Sequence, residues 1–292
     1  MPGRGPGGGG GLGGDVFLPS IYAHTRFGRQ AAKLLPEGMR RSIQRFPQLF
    51  DLGVQGPDFF FFYQPLWKTQ MGSLGGWFHN LSGREFFQRA ALHYGDAPSE
   101  GALVYLYGAL CHYALDSRCH PLILRATAGK NPGHMELETE FDRVLLSRDG
   151  KEPPYRQNLG KQLRLTWGEC VTVAGFYPPA TAYTVRRSIH VMAAVCRIMT
   201  MKNRRLLHSI FRLGGEYGGQ MVMYTRPNHR CAQLIGQLDA LYDQALADYS
   251  VLAAQLSAHL AGGAPLGPEF DANFSGYEGA PERGAGRPKG PD

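Results

Sequence analysis

Residues 111–120 read CHYALDSRCH and place His112, Asp116 and His120 four apart within an apolar run. Steps of four turn an α-helix by about 40° each, so the three side chains share an arc of about 80° and project the same way. The surrounding run, SEGALVYLYGALCHYALDSRCH (residues 99–120), is apolar on several sides. That is the pattern of a central helix packed on most of its faces, with Pro121 expected to limit its continuation. A buried Asp costs several kcal/mol unless it is paired or metal-bound. Asp116 has no Lys or Arg one turn away on its own stripe, and Arg118 points elsewhere. A tertiary ion pair or a metal ion would satisfy it.

Outward from this helix, the remaining segments also read as helical. Residues 18–36 open at Pro19 and Ser20, close before Pro36 and hold His24 in their first turns. A second helix follows over 37–53. Residues 54–66, VQGPDFFFFYQPL, supply turn residues beside an aromatic cluster. LGGWFHN (74–80) brings His79 just ahead of a helix at 82–95, where Ser82 is the cap and Glu85 stands at the capping-box position. Helical periodicity returns over 134–150, and two long amphipathic helices are expected over 179–214 and 228–263. Strand-like alternation is weak, so the fold class is all-α.

At 292 residues the chain can bury one substantial core. The expected organisation is a Gly-rich disordered tail over 1–14, one multi-helix domain over 15–261 with a metal site between central helices, and a disordered tail over 262–292. No apolar run is long enough to cross a bilayer, and the N-terminus MPGRGPGGGGGLGG lacks the apolar core of a secretory signal. Five cysteines, an odd number without CxxC spacing, argue against a disulfide framework or a thiolate zinc knuckle. A cytoplasmic protein is expected. The formal charge of +7 favours acidic partners, such as phospholipid headgroups or nucleic acid, without choosing between them.

Two further features add to the ladder. His134 and Glu138 lie at i and i+4 in GHMELETEFD, while Glu136 and Glu140 point to other faces. His24, Asp58 and His79 lie on or beside turns, where the backbone can aim side chains into a shared pocket. A His, Asp and Glu set without Cys suits catalytic zinc better than structural zinc. Taken singly, each of these histidines is more often a hydrogen-bonded core residue. Cys119, near the ladder, reads first as a packing thiol.

The set YAHTRFG, GPDFFFFY, GWFHN, HYALD…H and HMELETEFD resembles the zinc-dependent phospholipase C family, all-helical enzymes related in fold to P1-type single-strand nucleases. The likeness runs from about residue 19 to 210 in the family's order and is nearest to its cytoplasmic-looking branch. It implies that Asp58, His79, His112 and Asp116 surround one zinc and that His120, His134 and Glu138 hold a second. It implies a third held by His24 with Asp116 bridging. Secreted members complete that third site with an N-terminal Trp. This chain has a Gly-rich stretch there, so two zinc ions are expected, and a third if another donor such as Asp15 substitutes. Secreted members also separate the helix Asp from its next His by two more residues than Asp116 and His120.

The implied activity is hydrolysis of phosphoric esters, with Asp58 also orienting or deprotonating the attacking water, because clustered zinc ions neutralise phosphate oxygens and acidify water. A turn-capping Asp58 after Pro57 is the plain alternative. Phe59, in the run ending at Tyr63, and Trp77 are candidate substrate-binding residues, by cation–π contact with a choline headgroup or by base stacking. Core packing is the commoner use of such a run. The expected partner is a phosphoester, such as a phospholipid headgroup, with no stable nucleic-acid partner. No separate lipid-binding β-domain follows the helices, so strong attack on intact membranes is not expected. A P1-like nuclease and a non-catalytic, metal-stabilised helical protein are the alternatives.

Overall fold

The computed structural model describes residues 20–64, 69–129, 131–213 and 216–278. The expected tail over 1–14, the start of the domain at 15 and Asp15 lie outside them, as do residues 279–292. Twelve α-helices are described: α1 (Ile21–Ala31), α2 (Glu37–Arg45), α3 (Pro47–Gly53), α4 (Gln70–Asn80), α5 (Gly83–Asp96), α6 (Glu100–Thr127), α7 (His134–Arg148), α8 (Trp167–Gly175), α9 (Ala182–Ile198), α10 (Arg204–Arg212), α11 (Glu216–Gln220) and α12 (Ala232–Gly262). A 3₁₀ segment, Gly56–Phe62, joins α3 towards α4. Among the described residues there is no β-strand, only isolated bridges such as Ser82 to Asn273. The all-α fold class therefore holds.

The centre of the molecule is α6. Ser99 caps it by accepting a hydrogen bond from the Ala102 amide at 3.1 Å, and most residues from Gly101 to Asp116 are buried. It is covered by α1, α3, α5, α7, α8 and α12. Its contact with α3 is made by backbone: a Cβ on Gly108 would lie 2.6 Å from the Phe50 carbonyl oxygen, and one on Gly53 would lie 2.9 Å from the Gly108 Cα. This close approach seats the 3₁₀ segment, and with it Asp58, on the His112 face of α6.

The helix expected over 37–53 is two, α2 and α3, because the chain breaks at Phe46 ahead of Pro47. Four further expectations change. The helix does not stop at Pro121 but runs through it to Thr127. Pro121 leaves the Ser117 carbonyl without its i+4 donor, and the chain at Gly276 packs against that carbonyl and the Pro121 ring. The stretch 179–214 is not one helix: it breaks after Ile198, and Asn203 restarts it as α10 by accepting from the Leu206 amide at 3.1 Å. The Gly-rich stretch around His79 is helical as α4, capped by Thr69 and packed on the 3₁₀ segment.

The fourth change concerns the C-terminus. A disordered tail from residue 262 does not describe residues 263–278. Gly263, with φ 71°, turns the chain back from α12, and Leu266, Phe270 and Phe274 are buried in the core. Composition concealed this because three apolar anchors spaced four apart sit among glycines and charges. Burying them offsets the cost of ordering the segment.

Candidate metal centre

Five elements aim the polar side chains of the sequence ladder and its partners into one cleft. From α6 come His112, Asp116 and His120; from α7, His134 and Glu138; from α1, His24; from the end of α4, His79; and from the 3₁₀ segment, Asp58. The ligand atoms of His24, Asp58, His112 and Asp116 all lie within 4.8 Å of one another, as do those of His120, His134 and Glu138. His24 thus lies close to Asp58 and His112 as well as to Asp116. His79 joins the same group by reach: its Nε2 is 2.9 Å from Asp58 Oδ1, 3.7 Å from Asp116 Oδ2 and 3.4 Å from His112 Nε2.

Asp116 links the two groups. Its Oδ1 is 3.1 Å from His24 Nε2, and its Oδ2 is 3.1 Å from His112 Nε2 and 3.6 Å from His120 Nδ1. In the second group Glu138 Oε1 is 3.2 Å from His134 Nε2 and 3.4 Å from His120 Nε2. The approach of Asp58 depends on Gly56, whose φ is 53° and whose Cβ, if present, would lie 2.1 Å from the His112 ring. No other residue type fits this contact.

Backbone carbonyls orient two of the rings. His79 Nδ1 lies 2.7 Å from the Gly75 carbonyl oxygen, and His120 Nδ1 lies 3.2 Å from that of Phe274. A hydrogen donated from each Nδ1 turns the Nε2 lone pair toward the cleft, as at metal-binding histidines. The Phe274 ring also packs against His79 and His112, with centroids 5.7 and 5.8 Å away. Sequence reasoning missed Phe274, because it supplies a carbonyl and a ring from a segment whose composition reads as tail.

These residues fit a metal ion on three observations. Lone-pair atoms of His79 and His112 face each other at 3.4 Å, a contact that only a shared cation or a proton makes favourable. Oε2 of Glu138 is buried without a hydrogen-bond partner among the described residues. Asp58, Asp116 and Glu138 have histidines as their ion-pair partners among the described residues, with no guanidinium or ammonium neutralising them. By contrast, Glu136 is paired with Arg230 and Asn228, and Glu140 with Arg143, away from the cleft.

With no metal bound, protons carry the compensation. Burial opposes charge on His79 and His120, but the nearby carboxylates outweigh it and hold the rings up to about 10 and about 9. His24 moves upward through the same contest, led on the favourable side by Asp116. Burial dominates at His112, pushing it down to about 4. Burial also opposes the charged carboxylates, yet the histidines hold Glu138 down to about 2 and Asp116 well below the usual range. Burial, with Asp116 and Glu138 nearby, pushes the Cys119 thiol far up, and Cys119 belongs to neither donor group.

The cleft encloses about 710 Å³ including the space open to solvent, and is lined by His24, Asp58, His79, Asp116, His120, His134 and Glu138 together with Phe61 and Ser275. Phe59 and Trp77, expected as substrate-binding residues, do not line it. Phe59 is fully buried against Phe60 and Tyr177, and Trp77 packs on Phe78 and under Arg89. Within the 3₁₀ turn it is Phe61 that lies beside His79, at 5.7 Å between ring centroids.

The sequence model of the family described as zinc-dependent phospholipase C matches residues 23–175, just over half of the chain. The chain belongs to the zinc-dependent phospholipase C family. Neither a curated protein nor a solved structure matches it. Every donor in the two groups lies inside the matched span, whereas Phe274, α9, α10 and α12 lie outside it. The family's zinc dependence and this cleft's donor chemistry agree: both donor groups are built of nitrogen and oxygen ligands, with no thiolate. Among the described residues no helix is long and apolar enough to cross a membrane.

Proposed function

We propose that this chain is a zinc-dependent hydrolase of phosphoric diesters, cleaving a phospholipid or a smaller phosphoester between phosphate and alcohol as a phospholipase C does. The observation that carries the reading is Asp116, a buried carboxylate of the first donor group that lies within 3.7 Å of four imidazoles, His120 of the second group among them. His24, Asp58, His79, His112 and Asp116 would hold zinc on one side of it, and His120, His134 and Glu138 on the other. Zinc bound there supplies positive charge to phosphate oxygens and brings water to a pKa of about 7.

The chain's own groups have distinct tasks. Asp58 lines the cleft and presents a carboxylate to receive or aim the proton of an attacking water. His79 holds Asp58 in place at 2.9 Å and is itself held by the Gly75 carbonyl. Phe61 and Phe274 wall the histidines against bulk water, which strengthens every charge interaction inside. Gly76 and Asn80 on the rim leave space for the substrate's headgroup. Five unpaired, buried cysteines support a reducing, cytoplasmic setting.

The test compares hydrolysis of phosphatidylcholine, a chromogenic phosphodiester and single-stranded DNA by zinc-replete protein. Diester cleavage that is lost on chelation and reduced at least about 10²-fold in Asp58→Asn supports the proposal. Preferential cleavage of DNA would assign the chain to nuclease chemistry. Zinc-replete protein inert on all three would leave the metal a structural role.

A further inference from the structure

The chain's positive charge is not spread evenly. Between Cys170 and Leu238 stand nine arginines and lysines and a single acid, Glu216, so this segment alone carries more than the whole chain's formal charge of +7. It contains α9 and α10, and both turn much of that charge outward. Arg186, Arg187 and Arg197 on α9, Lys202 in the turn, and Arg205 and Arg212 on α10 are exposed. None of the six forms an ion pair among the described residues.

The same surface exposes aliphatic side chains. On α10 and its C-cap, Leu206, Ile210 and Leu213 repeat at i, i+4 and i+7 and are 48, 46 and 89 % exposed. Ile198 and Met201, at the end of α9 and in the turn, are exposed as well. The opposite face of α10 is already occupied. Leu207 is fully buried, and the Arg204 guanidinium donates to the carbonyls of Met199, Met201 and Met223. The helix is therefore anchored on one side and holds an apolar stripe out to solvent on the other, with Arg205 and Arg212 along its edge.

We propose that the α9–α10 surface docks the protein on an anionic lipid surface. Charge complementarity selects the occupant: exposed arginines with no ion-pair partner among the described residues attract anionic headgroups within a Debye length, and the aliphatic stripe enters the boundary below them. A nucleic acid would satisfy the charges but leave Leu206, Ile210 and Leu213 without a role. Three aliphatic side chains alone give marginal binding, so the arginines are the second signal that stable attachment needs. The surface goes beyond the proposed chemistry, because it can hold the chain on lipid whether or not the metal cleft turns over substrate. Arg187 lies over the Tyr63 ring at 5.6 Å, linking α9 to the end of the segment that carries Asp58.

The experiment is sedimentation of the zinc-replete full chain with vesicles of phosphatidylcholine alone and of phosphatidylcholine with phosphatidylserine in equal parts. Running it in an Asp58→Asn background keeps turnover out of the readout, so failure of docking and failure of catalysis remain separable. The proposal expects binding to the mixed vesicles, weakened by salt, and little to phosphatidylcholine alone. Arg205→Glu with Arg212→Glu should lower it on the order of tenfold or more. Leu206→Ser with Leu213→Ser should do likewise, and in the otherwise wild-type chain both pairs should leave hydrolysis of a soluble phosphodiester unchanged. No binding to either vesicle, or binding indifferent to both pairs, overturns the proposal. So does tight binding of single-stranded DNA that the arginine pair abolishes and the leucine pair leaves intact.

Discussion

Replacing Gly56 by alanine tests whether the cleft is assembled for an ion rather than merely tolerating charge. A methyl group at this position would sit 2.1 Å from Cδ2, 2.4 Å from Cγ and 2.5 Å from Nε2 of His112. Non-bonded carbons rest at about 3.5–4.0 Å, so the ring would have to retreat by more than about 1 Å. It has nowhere to go: His112 is fully buried, stacked on His24 at 4.5 Å between centroids and backed by Phe274. The alternative is for the 3₁₀ segment to lift off α6, taking Asp58 with it. A left-handed backbone adds about 1–2 kcal/mol for any residue with a Cβ.

Metal sites keep ligand distances to within about 0.2 Å, several times less than the displacement required here. Gly56→Ala is therefore expected to lose zinc from the group containing His112 and Asp58 while keeping it at His120, His134 and Glu138. Elemental analysis with a stepwise chelator titration reads this directly, and circular dichroism checks that the helices persist. Gly236→Ala is the matched control, since a methyl there meets nothing within 4 Å. A Gly56→Ala protein with an undiminished zinc complement would refute the reasoning.

Three further outcomes follow from the same geometry. At neutral pH the metal-free protein holds protons on His79, at about 10, and on His120, at about 9. Zinc binding should therefore release about two protons or more, read as the slope of calorimetric enthalpy against buffer ionisation enthalpy; a slope of zero would contradict the charge assignments. Both rings stand above their ordinary 6.5, so in the chelated protein their stabilisation is complete below about 6.5 and is lost as pH rises through about 9 to 10. The melting temperature of the chelated form should fall over that window, and a flat profile would count against the carboxylate–imidazole contacts. Phe274→Ala removes a fully buried ring and the wall behind His79; it should cost about 3–5 kcal/mol in denaturant unfolding, whereas a loss below about 1 kcal/mol would return residues 263–278 to the status of a tail.

The chemistry of the cleft was readable because α-helices convert spacing into direction. His112, Asp116 and His120 on α6, and His134 and Glu138 on α7, needed only the step of four to be placed on common stripes. His24 and Asp58 were named without a geometric rule, and it took the α3–α6 backbone contact at Gly53 and Gly108 to bring Asp58 to His112. His79 was expected on or beside a turn; glycines at 72, 75 and 76 disfavour a helix locally, yet packing on the 3₁₀ segment outweighs that propensity. The aromatic lining was misassigned for a similar reason. In FFFF every residue has the same chemistry, and only the turn geometry sends Phe61 toward His79 while Phe59 and Phe60 pack on Tyr177. Phe274 left no signal, because its contribution to His120 is a carbonyl that any residue carries.

The central claim is that the buried carboxylates and imidazoles exist to hold divalent metal, with Asp116 facing imidazoles of both groups. Elemental analysis of purified, zinc-replete protein beside Asp116→Asn measures this without reference to substrate. The account predicts at least one zinc for each donor group in the wild-type chain and a marked loss in the variant, because the exchange removes a charge that both groups face. Less than one zinc per wild-type chain, or a variant that retains the full complement, would contradict it.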